Sequence, residues 1–331
     1  MAAGDNQKGK MLYLVKILME ETDENHGLTT PEIIEKLSAY GVNAERRTLY
    51  RDIEFLEHYG LDIIREQTKD SFYYRLGRRD FELSELKLLV DAVQSSKFIT
   101  AKKSRELIKK LGGLASRHDA GRLRRQVVIA GRVKTENESI YYNVDLIHEA
   151  INAGKQICFH YYQWNARKKK ELRKNGALYS VSPWCLMWDD ENYYMVAYDA
   201  EETMIRHYRV DKMLDISVSE EARVGEQAFR DFDVARYSKQ LFGMFSGDEV
   251  RVTLRCENRF AGVFIDRFGT EVFMAPDGED HFTVVVEVAL SNQFLGWVIS
   301  LGEGVQVTGP ETVIQRMREE GARLSAQYPM A

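Results

Sequence analysis

The sequence predicts an α+β protein of several domains, and three observations carry that prediction. The amino end has three helical segments closed by a hairpin, the middle is dense in short aromatic β-runs, and in the last stretch strands and helices alternate. A length of 331 residues provides for two or three domains, each with its own core. A content of 44% hydrophobic and 29% charged residues excludes a disordered or fibrous chain. The longest apolar runs, Met11 to Met19 and Phe282 to Leu290, fall short of a membrane crossing. The start, MAAGDNQKGK, shows no apolar signal core or cleavage site, and Cys158, Cys185 and Cys256 are too scattered for a disulfide framework. The expected compartment is therefore the reducing cytoplasm.

Met11, Leu14, Val15 and Leu18 recur at helical spacing and define a first helix packed on one face. Thr29-Thr30-Pro31-Glu32 starts a second, with a hydroxyl to cap free amides, a proline where no donor is needed and a carboxylate suited to the helix dipole. Ile33, Ile34 and Leu37 form its buried stripe, and Gly41-Val42-Asn43 breaks it, with Asn43 available to cap the next helix. That third helix, Ala44 to Tyr59, carries Leu49, Ile53 and Leu56 on one side and ends at Gly60. Strands Leu61 to Arg65 and Phe72 to Leu76, joined by a turn over 67–71, complete a winged helix-turn-helix over residues 1–80.

Residues 81–137 read as a basic helical linker. Ser84 caps an apolar run from Leu86 to Val93, Ala101 to Leu111 forms a second segment, and Gly112-Gly113 and Gly121 interrupt a pattern that continues to about Arg132. Over 138–222 the character turns to β-runs, Gln156 to Tyr162, Tyr179 to Met187, Asn192 to Tyr198 and Met204 to Val210, spaced as in a small barrel. A connector over 223–244, helical from Asp233 to about Phe245, leads into a module over 245–331. There Val250 to Cys256, Arg259 to Phe268, Val272 to Ala275, Phe282 to Leu290, Phe294 to Leu301, Val305 to Thr308 and Glu311 to Tyr328 alternate as a split β-α-β, ferredoxin-like unit.

Charge is segregated along the chain. Residues 97–134 hold 12 Lys and Arg against 2 Asp and Glu, within a chain whose net charge is −5. Such a block suits a phosphate backbone or an acidic partner, and a solvated helix face is the plainer alternative.

In a helix-turn-helix the second helix of the motif enters the major groove. On the third helix Arg47 and Arg51 point away from Leu49, with Thr48 and Tyr50 on the flanks and Arg46 at the amino end. Arginine can bond guanine bidentately or clamp phosphate, and Thr48 and Asn43 suit phosphate or thymine-methyl contacts. The DNA-binding set is thus Asn43, Arg46, Arg47, Thr48, Tyr50 and Arg51. The alternative is a surface ion-pair ladder of Arg47, Arg51 and Glu54.

Three stretches, Val181-Ser182-Pro183-Trp184, Asn192 to Tyr198 and Arg206-His207-Tyr208-Arg209-Val210-Asp211-Lys212-Met213, resemble a WYL domain. The whole layout resembles bacterial winged-helix regulators with a C-terminal WCX extension. The name-giving tripeptide stands here as Tyr193-Tyr194-Met195. The resemblance implies a transcription factor whose WYL domain, an Sm-like five-stranded barrel, binds a nucleotide, single-stranded nucleic acid or another anion, and whose WCX module serves dimer contacts and sometimes ligand contacts. No enzyme activity and no cofactor are expected, and sustained turnover of a nucleotide would revive an enzyme as the third reading.

Guanidinium groups beside aromatic faces fit a phosphate-bearing, stackable ligand. Arg206 and Tyr208 share one face of their strand and Arg209 the other. Tyr161, Tyr194 and Trp184 supply stacking, and Ser182 and His160 polar contacts. The plainer alternatives are barrel core for the aromatics and salt bridges with Asp211 or Asp215 for Arg206 and Arg209. Arg167-Lys168-Lys169-Lys170-Glu171-Leu172-Arg173-Lys174 sets six cations against one anion, either as a solvated hairpin tip or as a phosphate-contacting loop.

Other signals fail. Gly4 to Lys10 matches a P-loop until Met11 takes the Ser/Thr position, Cys158 and His160 lack an oxyanion site, and the seven histidines show no metal spacing. The expectation is a homodimeric regulator binding operator DNA. The alternative is a single-strand-binding accessory protein, which Arg206→Ala rather than Arg47→Ala would disable.

Overall fold

The computed structural model describes residues 9–68, 71–123, 134–189, 191–230, 237, 242 and 247–329. It divides into two compact units, Met1–Glu138 and Ser139–Ala331.

The first unit opens with α1 (Lys10–Glu21), β1 (Leu28–Thr29) and α2 (Thr30–Ala39). The Thr29 hydroxyl accepts from the Glu32 backbone N–H, and the Glu32 carboxylate accepts from the Thr29 N–H, so the expected helix start is a complete capping box. The third helix, α3 (Arg46–Tyr59), begins two residues later than expected. Its N-cap is Glu45 rather than Asn43, because the backbone is still extended at Glu45, and the helix ends on Gly60 at φ 110°. Leu14, Leu18, Ile33, Leu37, Leu49 and Ile53 are fully buried between the three helices. Strands β2 (Ile63–Gln67) and β3 (Phe72–Leu76) form the wing, in register from Ile63 opposite Leu76 to Gln67 opposite Phe72. Strand β1 pairs with β3 and gives the order β1-β3-β2. Lys69 and Asp70 of the expected turn lie outside the described residues.

Three more helices follow: α4 (Leu83–Ser95), α5 (Ala101–Gly112) and α6 (Arg117–Leu123). Two expectations need correction. Ser84 lies inside α4, whose cap is Glu82 in a capping box with Glu85, since a carboxylate can accept the same free amides as a hydroxyl. Gly121 lies within α6 and does not interrupt it. Leu86, Ala115 and Leu123 make a small core. Arg79 ties this layer to α1 by donating to the carbonyls of Met19, Thr22 and Leu114. The pattern expected beyond Leu123, as far as Arg132, lies outside the described residues.

The second unit starts with α7 (Ile140–Ala153), a helix the β-rich reading of this stretch passed over. Its inward residues Ile140, Asn143, Ile147 and Ala150 include an asparagine, whose amide donates to the Met213 carbonyl and so is buried without loss. Then come β4 (Lys155–Trp164), β5 (Lys170–Leu172), β6 (Tyr179–Asp189), β7 (Asn192–Asp199), β8 (Met204–Arg209) and β9 (Met213–Ala222). The antiparallel sheet runs β5-β4-β6-β7-β8, with β9 on β4. β5 and β9 extend the four runs legible in the sequence.

The carboxyl-terminal module comprises β10 (Glu249–Glu257), α8 (Ala261–Phe268), β11 (Phe273–Asp277), β12 (His281–Ala289), α9 (Asn292–Ser300), β13 (Val305–Gly309) and α10 (Glu311–Gln327). Its order, β11-β12-β10-β13, is that of a ferredoxin-like sheet. Val252, Leu254, Val284 and Val286 alternate onto its buried face beneath Phe264, Phe294 and Leu295. Most of the expected connector helix lies outside the described residues. Of that helix Tyr237 and Phe242 are described, and Phe242 is buried against Phe294 and Trp297.

Candidate nucleic-acid interface and effector site

On α3 the buried positions Leu49, Ile53 and Leu56 fix which side faces outward. Arg46, Arg47 and Arg51 are exposed there and join no hydrogen bond or ion pair among the described residues, so the ladder with Glu54 does not form. Asn43 is exposed in the preceding loop, and Tyr50 is half-buried against the helical core. Thr48 is already engaged. Its hydroxyl donates to the Glu45 carbonyl at 2.9 Å and accepts from Lys10 Nζ at 3.1 Å, while Lys10 also pairs with Asp52 at 2.5 Å. These bonds fix the angle between α1 and α3. Phe55, 62% exposed one turn beyond Arg51, was missed, and its signal was an aromatic outside the Leu49-Ile53-Leu56 stripe. The wing arginines are satisfied internally, Arg65 by Glu57 and Arg75 by Glu66.

The expected effector residues fall on two sides of the curled sheet. Tyr161 and Tyr208 are buried in a cluster with Phe159 and Tyr179, with ring centroids 5.2 to 6.2 Å apart. The Tyr161 hydroxyl accepts from the Arg209 backbone N–H at 3.1 Å, and the Tyr208 hydroxyl donates to Asp199 at 3.3 Å. Burial pushes the Tyr161 phenol up to about 12, and burial followed by the Asp199 carboxylate pushes Tyr208 higher still. Arg206 is on the Tyr208 side as expected. It pairs with Asp199 at 3.4 Å and Glu202 at 3.3 Å.

On the other side, Trp184 stacks on Phe229 at 4.7 Å, carries the Arg223 guanidinium 3.8 Å over its ring, and donates to the Val224 carbonyl. Tyr194 packs into the same cluster, and the buried Ser182 hydroxyl accepts from the Val224 N–H. Ring surface that a base would need is thus taken by the strap 223–229. His160 is half-buried, and its Nδ1 has no hydrogen-bond partner among the described residues.

Arg209 is the best-held of the set. It donates to both Asp211 oxygens, at 3.0 and 2.9 Å, and to Asn192 Oδ1 at 2.9 Å. Burial lowers the Lys212 ammonium, and the adjacent guanidiniums of Arg209 and Arg173 lower it further. Asp211 acts on Lys212 in the opposite sense, and its ion pair is with Arg209, so the Arg173 and Lys212 charges are felt near Arg209 as added positive potential. The sequence offers Arg173 only within the 167–174 cation run and Lys212 only within the WYL-like stretch, because nothing in the sequence joins a residue before β6 to the end of β8.

A cavity of about 780 Å³ in the first unit is lined by Glu21, Glu24, Glu32, Glu35 and Glu66 and by His26 and His118. Its carboxylates oppose an anion, so it is not the expected effector site. Among the described residues no cluster of His, Cys, Asp and Glu could hold a metal, and no helix is long and apolar enough to cross a membrane.

The WYL domain model matches residues 142–218 and the WCX domain model residues 248–325. No curated protein matches the sequence. Among solved structures, the chain is similar to "Proteasome accessory factor B/C (PafBC)" of Arthrobacter aurescens, at 18% identity and a TM-score of 0.29, covering 98% of this chain and 49% of that one. The chain spans about half the length of that structure.

Proposed function

From the WYL and WCX domains that this chain carries we propose a DNA-binding transcription regulator that reads operator DNA through α3 under the control of an anionic ligand held by the WYL domain. The observation that carries the DNA half is that Arg46, Arg47 and Arg51 are exposed and join no hydrogen bond or ion pair among the described residues, Arg46 at the amino end of α3 and Arg47 and Arg51 opposite its buried stripe. Unpaired guanidiniums on a rigid helix are available for phosphates and guanine edges without first breaking an internal bond. Asn43 and Tyr50 flank them, and Thr48 serves through its hold on Glu45.

The ligand half rests on Arg209, a partly exposed guanidinium held in one orientation by Asp211 and Asn192, with Arg173 and Lys212 adding positive potential near it. A nucleotide or short single strand is expected to bind by displacing Asp211 from Arg209, while Tyr161, Tyr208 and Arg206 on one side of the sheet and Tyr194, Trp184 and Ser182 on the other, already engaged with their own neighbours, act by holding the sheet that carries Arg209, and His160 remains a polar candidate. Ligand binding then favours one arrangement of a homodimer and so sets the spacing of its two recognition helices. The domain limits proposed are 1–80, 81–137, 138–222, 223–244 and 245–331, and the compartment is the cytoplasm.

The test is a genomic footprint of the purified protein with and without short oligonucleotides or nucleotides. Protected duplex sites that vanish in Arg47→Ala, and whose occupancy changes with ligand in the native protein but not in Arg209→Ala, support the reading. Binding to single strands alone, abolished by Arg206→Ala, overturns it in favour of an accessory protein.

A further inference from the structure

The hairpin between β4 and β5 is built around one side chain. Asn165 Oδ1 accepts from the backbone N–H groups of Arg167 and Lys169, both at 2.9 Å, and its Nδ2 donates to Glu171 at 2.5 Å. Its backbone closes the turn as well, accepting from the Lys168 N–H and donating to the Lys169 carbonyl. Below the turn, Lys170 lies 4.9 Å over the Tyr162 ring and 5.5 Å over Trp164, and those two rings meet edge to face. Lys174 lies over Tyr179 and pairs with Glu201. The single anion of the run is therefore held by Asn165, and two of its cations are occupied on aromatic rings.

Three cations remain at the tip. Arg167, Lys168 and Lys169 are consecutive, exposed and without an ion pair among the described residues. Lys168 has φ 58°, a left-handed backbone that glycine or asparagine would adopt at lower cost. A lysine there sets positive charge above local backbone preference. The tip also stands out against its background, since residues 135–331 hold 21 Lys and Arg against 31 Asp and Glu. In a stretch of sequence that is acidic on balance, three consecutive exposed cations make the tip a local positive patch.

We propose that the 165–170 hairpin tip is a second duplex-DNA contact, separate from α3 and from the effector site, at which Arg167, Lys168 and Lys169 clamp successive phosphates without reading sequence. A duplex presents the densest regular array of phosphates, roughly one charge per 1.7 Å of axis, which suits three adjacent point charges on a rigid turn. The aromatic rings beneath the tip are engaged by Lys170 and by each other, so they brace the hairpin. The proposal rests on the chain being a duplex-binding protein.

The test is equilibrium binding of the full-length protein to a random-sequence duplex between about 50 and 200 mM salt. In Arg167→Gln/Lys168→Gln/Lys169→Gln the slope of log affinity against log salt should become shallower by roughly 2.7, about 0.9 for each phosphate no longer neutralised. Lys168→Gly, which relieves the backbone and removes one charge, should lower it by about 0.9 and so guards against misfolding as the cause. Arg47→Ala/Arg51→Ala should retain the hairpin-dependent part of the slope. Native binding with unchanged slopes in both hairpin variants overturns this proposal alone, whereas a native protein that ignores duplex overturns the reading it rests on. Loss confined to single strands or to polyglutamate, with duplex binding intact, also overturns it.

Discussion

Arg209 and Asp211, two positions apart around the bend that ends β8, face each other in a two-pronged ion pair with Nε on Oδ1 and Nη2 on Oδ2. The pair is about one-third exposed on the arginine side, so it contributes only modestly to stability, yet it holds the guanidinium in one orientation. Asp211→Ala should lower thermal stability by about 1 kcal/mol and strengthen binding of inorganic phosphate or a short oligonucleotide, because the anion no longer competes with a carboxylate. Calorimetric titration with phosphate measures this. A weaker affinity in the variant would remove Arg209 from the site.

The outward arginines of α3 predict a different pattern. Arg47→Ala and Arg51→Ala should each weaken operator binding by about 1–3 kcal/mol with no change in melting temperature, since neither gives up an internal partner among the described residues. Leu49→Ala, at a fully buried position on the same helix, should instead cost about 2–5 kcal/mol of folding stability. Melting curves paired with fluorescence anisotropy on duplex separate the two effects.

These contrasts show where the sequence was legible. Periodicity located α3 and its outward arginines because a single stripe, Leu49, Ile53 and Leu56, decides the helix orientation. The ferredoxin-like module was equally plain, since its strands alternate Val252, Leu254 and Cys256 against polar residues. α7 escaped because its inward side includes Asn143, whose buried bond to the Met213 carbonyl comes from 70 residues away. The effector set was the least legible part. Residue type identified guanidiniums and aromatics, but whether Tyr161 faces a ligand or the core depends on cross-strand neighbours. Likewise, the occupation of Trp184 depends on Phe229 and Arg223, far along the chain.

Acid should weaken the first unit. Burial raises Asp23, but hydrogen bonds from Ser116, His26 and the Asn25 N–H outweigh it and hold the carboxyl below its usual 3.8. Glu32 is held below its usual 4.5 by the Thr29 backbone and hydroxyl. Depressed carboxyl values give stability that is present above the unfolded values and lost as pH falls through the folded ones. The melting temperature should therefore drop steeply below about pH 4, and Asp23→Asn should flatten that drop while lowering stability at neutral pH. An acid profile unchanged in Asp23→Asn would show that the Asp23 network contributes nothing.

Alkali should act on the WYL domain with the opposite sign. The folded protein favours neutral Tyr161 and Tyr208, so their contribution is present below the ordinary 10 and fades as pH rises, toward about 12 for Tyr161 and higher for Tyr208. In an ultraviolet phenolate titration both tyrosines should ionise only together with unfolding. Tyr161→Phe should remove one late-ionising phenol and cost about 1 kcal/mol by leaving the Arg209 N–H without its acceptor. Early ionisation of Tyr161 in the folded protein would mean that the core is open to water there.

Lys134 closes the first unit in an unusual way for a lysine. Its ammonium reaches four acceptors, the carbonyls of Val93, Ser96 and Ile99 and the hydroxyl of buried Ser104, at 2.8 to 3.3 Å. Val93 and Ser96 belong to the end of α4, where carbonyls lack helical partners and the dipole favours a cation. Nearby, the Thr135 N–H donates to the Lys97 carbonyl, so the strap from residue 134 is fastened to the α4–α5 junction by both side chain and backbone. Lys134→Met keeps the aliphatic stem but strands these acceptors, and about 1–3 kcal/mol of stability should be lost. Hydrogen exchange should accelerate at the last turn of α4 and the first of α5 and leave α1 to α3 unchanged. Lys134→Arg should restore part of the protection, because a guanidinium can still serve two or three of the carbonyls but is too wide for the Ser104 hydroxyl as well. Equal exchange in the native protein and Lys134→Met would show that the junction holds without the ammonium.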